Sequence, residues 1–119
     1  MKIRLVKPYV GEDELQNLKG VIDRAWLGRG PLCNEFEERW NEFLGTSSST
    51  AVNSGTAALH LALLTFGFEK GKKVLLPAIT FCSTANAPLY CGLEPVFVDV
   101  DEETLSMDVN DLKRKYTED

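Results

Sequence analysis

The sequence predicts an α/β fold in which helices cover a parallel β-sheet. From about residue 50 onward, short apolar segments alternate with segments of helical character, and strands separated by helices favour right-handed βαβ units. Two of the apolar segments, KVLLP at 73–77 and PVFVDV at 95–100, are apolar at successive positions. That pattern is expected of strands that are covered on both faces.

The first 45 residues predict two helices. The first runs over about 12–26, because its apolar residues recur at spacings of three and four. The loop at 26–31 (WLGRGP) then contains two glycines and a proline, which break a helix. The second helix is predicted to begin at Asn34 as its cap, with Glu37 three residues on as in a capping box, and to end at Gly45.

The remaining residues predict three strands and three helices. The predicted strands are 50–53, 73–76 and 95–100, and the predicted helices are 56–66, 83–91 and 108–116. Pro88 falls inside the helix at 83–91, where a proline in a regular interior costs about 3 kcal/mol. We therefore expect that helix to be kinked or to begin later.

The order of these elements is N-terminal helices followed by βαβαβα. No strand follows the last helix, so the sheet would end with an exposed apolar edge. On physical grounds we expect 1–119 to be the first part of a larger α/β domain. Within it, 1–45 form a helical segment and 46–119 form a sheet segment that contains a candidate phosphate-binding turn.

Composition and charge exclude several classes of function. The 119 residues are 44% hydrophobic and 26% charged, which is ordinary for a globular domain, and the net charge of −5 provides no basic surface for nucleic acid. The three cysteines form no CxxC pair, which argues against a zinc site and a disulfide framework. Residues 1–15 lack the apolar core of a signal peptide, and no uncharged run reaches the roughly 18 residues of a membrane span. We expect a cytoplasmic protein with no metal and no membrane partner.

The stretch AVNSGTAALHLALL, residues 51–64, contains a candidate anion site at Ser54, Gly55 and Thr56. The first amides of a helix have no partner within the helix, and the positive end of the helix dipole lies behind them. Gly55 would allow close approach of the backbone, and the two hydroxyls could donate to a phosphate. The alternative is a plain N-cap turn, since Ser and Thr are preferred there for local reasons. The pattern alone slightly favours the N-cap.

Phe81 is the candidate for binding a planar ring. It follows the strand that ends at Pro77, at the edge where the carboxyl ends of parallel strands meet. An aromatic side chain at that edge can stack on a ring, whereas the alternative is a phenylalanine of the core. His60 is the single histidine, and in the middle of an apolar helix it is better interpreted as a structural residue than as a metal ligand.

Taken in order, these segments resemble the DegT/DnrJ/StrS sugar aminotransferases, which are pyridoxal-phosphate (PLP) enzymes of the aspartate-aminotransferase fold. The resemblance covers essentially the whole chain. It is carried by five blocks of sequence: PYVGEDEL, WLGRGPLCNEFEERWNEFLGT, AVNSGTAALHLAL, LLPAITFCSTANAPLYCG and PVFVDVDEETLSMD. It implies the large domain of the PLP transferases, in which a parallel sheet lies between two layers of helices, in incomplete form.

The resemblance assigns roles to the candidate residues. The turn Ser54, Gly55, Thr56 and Ala57 matches the segment that binds the PLP phosphate, and Phe81 matches the aromatic residue that stacks on the pyridine ring. The loop 26–31 resembles a segment near the active site, often at a subunit interface. The family's Schiff-base lysine and the aspartate that pairs with the ring nitrogen lie downstream of the matched segment. None of the lysines in the chain matches that position, so we expect no catalytic residue, a partial cofactor site and no activity for the 119 residues alone.

Several functions stay open at this point. The resemblance implies a nucleotide-linked keto-sugar as substrate, glutamate as amino donor and a homodimer, in the biosynthesis of polysaccharide or antibiotic sugars. A minority of the family are PLP-dependent sugar dehydratases, which carry a histidine at the lysine position. A non-catalytic phosphate-binding or assembly module, and a fragment with no separate function, are the remaining alternatives.

Overall fold

The structure of the chain is a computed structural model, and it describes residues 6–116. These residues fall into two compact units that divide between Ala51 and Val52, and each unit is described by itself. The prediction that the chain lacks a signal peptide falls partly on residues 1–5, which lie outside the described residues. The predicted division into segments 1–45 and 46–119 stays a prediction.

The first unit contains two helices, α1 (Glu12–Asp23) and α2 (Pro31–Leu44). The amide of Gly11 donates to the carboxylate of Glu14 at 2.7 Å, which caps α1 and lowers the pKa of that carboxyl. The predicted helix 12–26 ends at Asp23, three residues early, because Ala25 adopts a left-handed backbone conformation (φ 54°) that a helix cannot continue through.

The start of α2 differs from the prediction. Gly30 is the N-cap and Pro31 is the first helical residue, where its missing N–H has no helical partner to lose. The amide of Asn34 already donates to the Gly30 carbonyl oxygen at 3.2 Å, so Asn34 lies inside the first turn. The predicted cap at Asn34 is therefore wrong, whereas the predicted stop at Gly45 (φ 68°) is confirmed.

The second unit contains a parallel pair of strands and three helices. Strand β1 (Lys73–Pro77) pairs with β2 (Glu94–Val98) in a register that runs from Lys73 opposite Glu94 to Pro77 opposite Val98. The helices are α3 (Gly55–Phe66), α4 (Ser83–Tyr90) and α5 (Val109–Lys115). Helices alternate with parallel strands, so the predicted α/β class is confirmed, with a two-stranded sheet in the described part of the chain.

The predicted strand at 50–53 is not a strand in the structure. A strand needs a neighbour to pair with, and the amide of Ala51 donates instead to a side chain of α2, the carboxylate of Glu37, at 2.7 Å. Ser49 likewise donates through its hydroxyl to the side chain of Asn41 at 2.7 Å. Side chains of α2 thus take the place of a strand partner.

The core of the second unit lies where α4 packs on both strands. Leu76 of β1, Val98 of β2 and Ala87 of α4 are each at most 2% exposed. Pro88 is also buried there, in the last turn of α4, so its missing N–H costs one helical hydrogen bond near the end of the helix. The helix begins at Ser83, as predicted, and a later start is not needed to accommodate the proline.

Helix α5 is tied to the end of β2 by one carboxylate, that of Asp111. Its side chain accepts from the amide of Asp99 at 2.7 Å and pairs with Lys115 at 2.8 Å and Arg114 at 2.9 Å. The ammonium of Lys115 also donates to the carbonyl oxygen of Phe97 at 2.7 Å. The predicted cap of this helix is confirmed, because Asp108 accepts from the amide of Asn110.

The part of the chain that the structure describes contains no helix with the length and apolar character to cross a membrane. Its three cysteines, Cys33, Cys82 and Cys91, are free thiols.

We predict that Asp111→Asn lowers the stability of the chain at neutral pH. We also expect the variant to lose less stability than the unmodified chain as the pH falls into the acid range. The hydrogen bond from the Asp99 amide, with the bonds from Lys115 and Arg114, lowers the pKa of Asp111 in the folded state. A depressed pKa stabilises the fold above the unfolded-state value of about 4, and that contribution is lost as the pH falls below it. The measurement is the urea midpoint between pH 7 and pH 2.5.

The matched control is Asp23→Asn, which removes an exposed ion pair with Lys19 on α1. An exposed pair of this kind contributes about 0–1 kcal/mol, so the control should keep the midpoint and its pH dependence. A midpoint for Asp111→Asn equal to that of the unmodified chain at pH 7 would contradict the assignment.

Candidate functional site

The N-terminus of α3 has two backbone amides with no hydrogen-bond partner among the described residues, those of Gly55 and Thr56. Ser54 is the N-cap, with extended backbone (φ −160°), and its side-chain oxygen accepts from the amide of Ala57 at 3.2 Å. The next amide, of Ala58, donates to the Ser54 carbonyl oxygen at 3.1 Å. The first two amides therefore remain available to a ligand beyond the helix end, where the helix dipole favours negative charge.

The space in front of these amides is open. Ser54 and Gly55 are exposed, and Thr56 and Ala57 are half-buried. A Cβ built on Gly55 would meet no atom within 4 Å, and Gly55 does not have a positive φ. The fold of the chain itself therefore does not require glycine at this position, which leaves close approach of a ligand as the physical use for it.

The two interpretations of this turn are compatible in the structure. The Ser54 hydroxyl caps the helix, as the N-cap alternative expects, but it satisfies only one of the amides. Its O–H group can still donate, as can the hydroxyl of Thr56. The turn therefore offers two amides and two hydroxyls to an anion, and the local cap uses none of these four donors.

Phe81 lies in the loop between β1 and α4, and its side chain is 73% exposed. It is therefore not part of the core of the second unit, and that alternative is wrong. The backbone around it is ordered by local bonds: its carbonyl oxygen accepts from the Thr84 amide at 2.9 Å, and the hydroxyls of Thr80 and Thr84 are 3.0 Å apart. An exposed aromatic ring on such a loop is suited to stacking on a planar ligand.

Helix α3, which begins at the turn, and helix α4, which follows the loop that contains Phe81, pack against each other within the second unit. His60 of α3 and Tyr90 of α4 make an edge-to-face contact with ring centroids 5.5 Å apart, and the Cys91 thiol is 3.9 Å from the His60 carbonyl oxygen. His60 thus packs as a structural residue, as the sequence indicates. Among the described residues, no group of three His, Cys, Asp or Glu side chains is placed to hold a metal ion.

The loop 26–31 is described within the first unit alone. The indole N–H of Trp26 donates to the Arg29 carbonyl oxygen at 2.9 Å, and the ring covers Gly30 so closely that a Cβ there would clash with the indole nitrogen. The loop borders a cavity of about 250 Å³. The residues that line this cavity include Val21, Arg24, Leu27, Pro31 and Leu32. Proximity of this loop to an active site stays a prediction.

Glu37, a polar residue of the first unit, has a different role in the structure from the one predicted from the sequence. Glu37 was expected to complete a capping box with Asn34, but the N-cap of α2 is Gly30, four residues earlier, and the carboxylate binds Arg29 and the amide of Ala51 instead. The sequence has no signal for these partners, because they are 8 and 14 residues away along the chain.

Each of the two features, taken by itself, has the chemical character to bind one part of a PLP molecule. The unpartnered amides of Gly55 and Thr56 suit its phosphate, and the exposed ring of Phe81 suits its planar pyridine. Ser54 and Ala57 complete the turn that holds the amides, one as cap and one as the residue whose amide the cap satisfies.

Comparison with known proteins gives a family match over nearly the whole chain. The sequence profile of the DegT/DnrJ/EryC1/StrS aminotransferase family matches residues 8–119. The chain is 40% identical over 110 residues to the spore coat polysaccharide biosynthesis protein SpsC of Bacillus subtilis (strain 168), covering 92% of this chain and 28% of SpsC. It is 36% identical over 114 residues to GDP-perosamine synthase of Vibrio cholerae, covering 95% of this chain and 31% of that protein. The chain thus spans about 30% of the length of these relatives.

Two solved structures also match nearly the whole of this chain, which again covers about 30% of their length. Spr1654 of Streptococcus pneumoniae, assigned as a sugar aminotransferase, matches in its PLP form with a TM-score of 0.87 at 29% identity, over 98% of this chain and 30% of Spr1654. The GDP-4-keto-6-deoxy-D-mannose-3-dehydratase of E. coli, with bound hydrated PLP, matches with a TM-score of 0.84 at 25% identity, over 96% of this chain and 31% of the dehydratase.

We predict that Gly55→Ala leaves the fold intact and abolishes binding of phosphate at the start of α3. The added methyl group meets no atom of the chain, so it occupies the open space in front of the amides. Thermal melting should be unchanged or slightly higher, since alanine in a helix is favoured over glycine by about 1 kcal/mol. Binding is measured by NMR titration of the Gly55 and Thr56 amides with inorganic phosphate.

Gly28→Ala is the control, because a Cβ at Gly28 also meets nothing within 4 Å but lies in the first unit. It should bind phosphate as the unmodified chain does. Equal phosphate affinity of Gly55→Ala and Gly28→Ala would rule out an anion site at Gly55.

Proposed function

Since the chain belongs to the DegT/DnrJ/EryC1/StrS aminotransferase family, we propose that it supplies the phosphate-binding and ring-stacking part of a PLP site in a sugar aminotransferase. The observation that carries the proposal is the pair of unpartnered amides at Gly55 and Thr56, which face open space at the start of α3. A turn that only caps the helix would not need open space in front of these amides. A turn buried in the core would have no such space.

Each residue of the site has a role that follows from its position. Gly55 and Thr56 donate their amides to the phosphate, and the hydroxyls of Ser54 and Thr56 add two further donors. Ser54 and Ala57 hold the turn in shape through their own hydrogen bond. Phe81 stacks on the pyridine ring and so sets its plane. When bound, PLP supplies the electron sink that amino transfer requires.

The names of two relatives support a substrate class. The GDP-perosamine synthase is named for a nucleotide-linked amino sugar, and SpsC is named for polysaccharide biosynthesis. We propose that the substrate is a nucleotide-linked keto-sugar, that glutamate donates the amino group, and that the active protein is a homodimer. A cytoplasmic location belongs to the same proposal.

A PLP-dependent sugar dehydratase is the second candidate. It is favoured by the similarity to the E. coli dehydratase, whose TM-score of 0.84 is close to the 0.87 of the aminotransferase structure. The two candidates use the same phosphate turn and ring-stacking residue, so binding of the cofactor does not distinguish them. The identity of the product does.

We predict that Phe81→Ala weakens binding of pyridoxamine 5′-phosphate about two- to twelvefold and leaves binding of inorganic phosphate unchanged. Aromatic stacking contributes about 0.5–1.5 kcal/mol, which corresponds to that factor, and only the first ligand has a ring. This ligand is chosen because it has no aldehyde to react with surface lysines. The measurement is NMR titration of the amides of the α3 turn.

The control variant is Phe66→Ala, which removes an aromatic side chain of equal exposure (72% against 73%) from the end of α3. It should bind both ligands normally. If Phe81→Ala and Phe66→Ala bind pyridoxamine 5′-phosphate equally well, Phe81 does not stack on the ring.

The reaction itself is tested on the gene product that contains this sequence, with ¹⁵N-glutamate and a GDP-linked 4-keto-6-deoxy sugar. An aminotransferase transfers the label to the sugar, and mass spectrometry finds ¹⁵N in the nucleotide-sugar product together with 2-oxoglutarate. A dehydratase gives a nucleotide sugar that has lost one oxygen as its hydroxyl group is replaced by hydrogen; glutamate supplies the two electrons, and the ¹⁵N is released as ammonium rather than found in the sugar. Binding of phosphate with neither product would favour the non-catalytic phosphate-binding module.

A further inference from the structure

The loop that contains Phe81 is held at each of its ends by backbone hydrogen bonds of the second unit. At its start, the amide of Ala78 donates to the carbonyl oxygen of Val98 in β2 at 2.8 Å. At its end, the amide of Ala85 donates to the carbonyl oxygen of Cys82 at 3.1 Å, as α4 begins. Phe81 lies between these two anchors and belongs to neither the strand nor the helix.

Little packing holds the ring of Phe81. Its side chain is largely exposed, and it makes no ring–ring contact with another aromatic side chain of the described residues. The backbone of the loop therefore determines the position from which the ring projects. A loop that is ordered before the ligand binds lowers the entropic cost of binding.

Two threonine hydroxyls close the loop around Phe81. The Oγ1 atoms of Thr80 and Thr84 are 3.0 Å apart, in a hydrogen bond that either hydroxyl can donate. This bond joins the residue directly before Phe81 to the residue three positions after it, whose amide also donates to the Phe81 carbonyl oxygen at 2.9 Å. Cys82, the N-cap of α4, forms no side-chain cap. In the described part of the chain, the threonine pair is thus the one side-chain hydrogen bond of residues 78–84.

We propose that Thr80 and Thr84 are positioning residues for the ring of Phe81, acting through the hydrogen bond between their hydroxyls. This inference rests on the proposed function, in which Phe81 stacks on the ring of the cofactor. The bond raises the fraction of molecules in which the loop presents the ring to a ligand, and the apparent affinity follows that fraction. Neither threonine touches the ligand.

The experiment titrates the 119-residue chain and its variants with pyridoxamine 5′-phosphate and, separately, with inorganic phosphate, and follows the Gly55 and Thr56 amides by NMR. Thr84→Val replaces the hydroxyl by a methyl group, and valine and threonine have similar helix propensities. The variant should bind pyridoxamine 5′-phosphate about two- to fivefold more weakly, the factor that corresponds to a weak hydrogen bond. Its affinity for inorganic phosphate, which has no ring, should be unchanged.

Three further variants separate positioning of the ring from a general effect on the fold. Thr84→Ser keeps a hydroxyl and should bind as the unmodified chain does. In the double variant Phe81→Ala/Thr84→Val, the second substitution should cause no further loss, because the ring through which the bond acts is gone. Thr80→Val breaks the same bond from its other side and should reproduce the loss. It also replaces Thr84→Val if that variant does not melt cooperatively.

Thr65→Val is the matched control, because it removes a threonine hydroxyl that donates to the Leu61 carbonyl oxygen at 2.8 Å, near the end of α3. It should bind both ligands normally. Equal affinity of Thr84→Val and Thr65→Val for pyridoxamine 5′-phosphate overturns the proposal, as does an equal loss of affinity for inorganic phosphate or a further loss in the double variant.

Failure of the proposed function gives different results. If Phe81→Ala binds pyridoxamine 5′-phosphate as the unmodified chain does, ring stacking is wrong and the inference falls with it. If the unmodified chain binds neither ligand, the proposed phosphate site is wrong as well.

Discussion

Parallel pairing of β1 with β2 constrains the whole second unit, because two parallel strands cannot be joined by a tight turn. The chain has to cross over the sheet between the end of β1 and the start of β2, and α4 occupies that crossover and packs on both strands. Burial of Leu76, Ala87 and Val98 is the energetic result. The same crossover places Phe81 in the loop that follows the carboxyl end of β1, outside the core, at the edge where parallel sheets commonly bind ligands.

The start of α3 shows how one turn can serve both the fold and a ligand. Ser54 satisfies the amide of Ala57, so the helix has its cap whether or not a ligand is bound. The amides of Gly55 and Thr56 are left with exposed surroundings in which water can bind them, so the apo state carries no large penalty. A phosphate bound there would replace that water with two hydrogen bonds to a charged acceptor, which are stronger than neutral ones.

Local pattern was sufficient for much of the fold. The α/β class, α3 to one residue and the caps at Gly45 and Asp108 follow from periodicity and from glycine or aspartate at helix ends. One error arose because a distant partner decides the outcome: the segment 50–53 has the composition of a strand, but Glu37 accepts from the amide of Ala51. The error at Asn34 was local, because Gly30 and Pro31 start the helix earlier.

The candidate site also has features that could be predicted from the sequence and features that could not. Ser54, Gly55 and Thr56 could be found from the sequence because a helix N-terminus is a local feature, and the structure adds which amides are left unpaired. The exposure of Phe81 could not be derived from its neighbours, since an aromatic residue near a strand fits a core as well as a surface. Glu37 was visible only as a possible cap, because the residues that it joins are separated by the length of a helix.

Few side chains are buried among the described residues. Apolar residues that recur at helical spacing in α1, such as Leu15, Leu18 and Ile22, are 56–58% exposed, and Phe97 of β2 is 49% exposed. A two-stranded sheet is only marginally stable by itself, so each specific contact counts for more than it would in a large core. This is why single carboxylates recur at the junctions of both units: Glu37 fixes the chain that leaves α2, and Asp111 fixes α5 to the end of β2. Each accepts from a backbone amide with a charged oxygen, which makes the bond stronger than one between neutral groups.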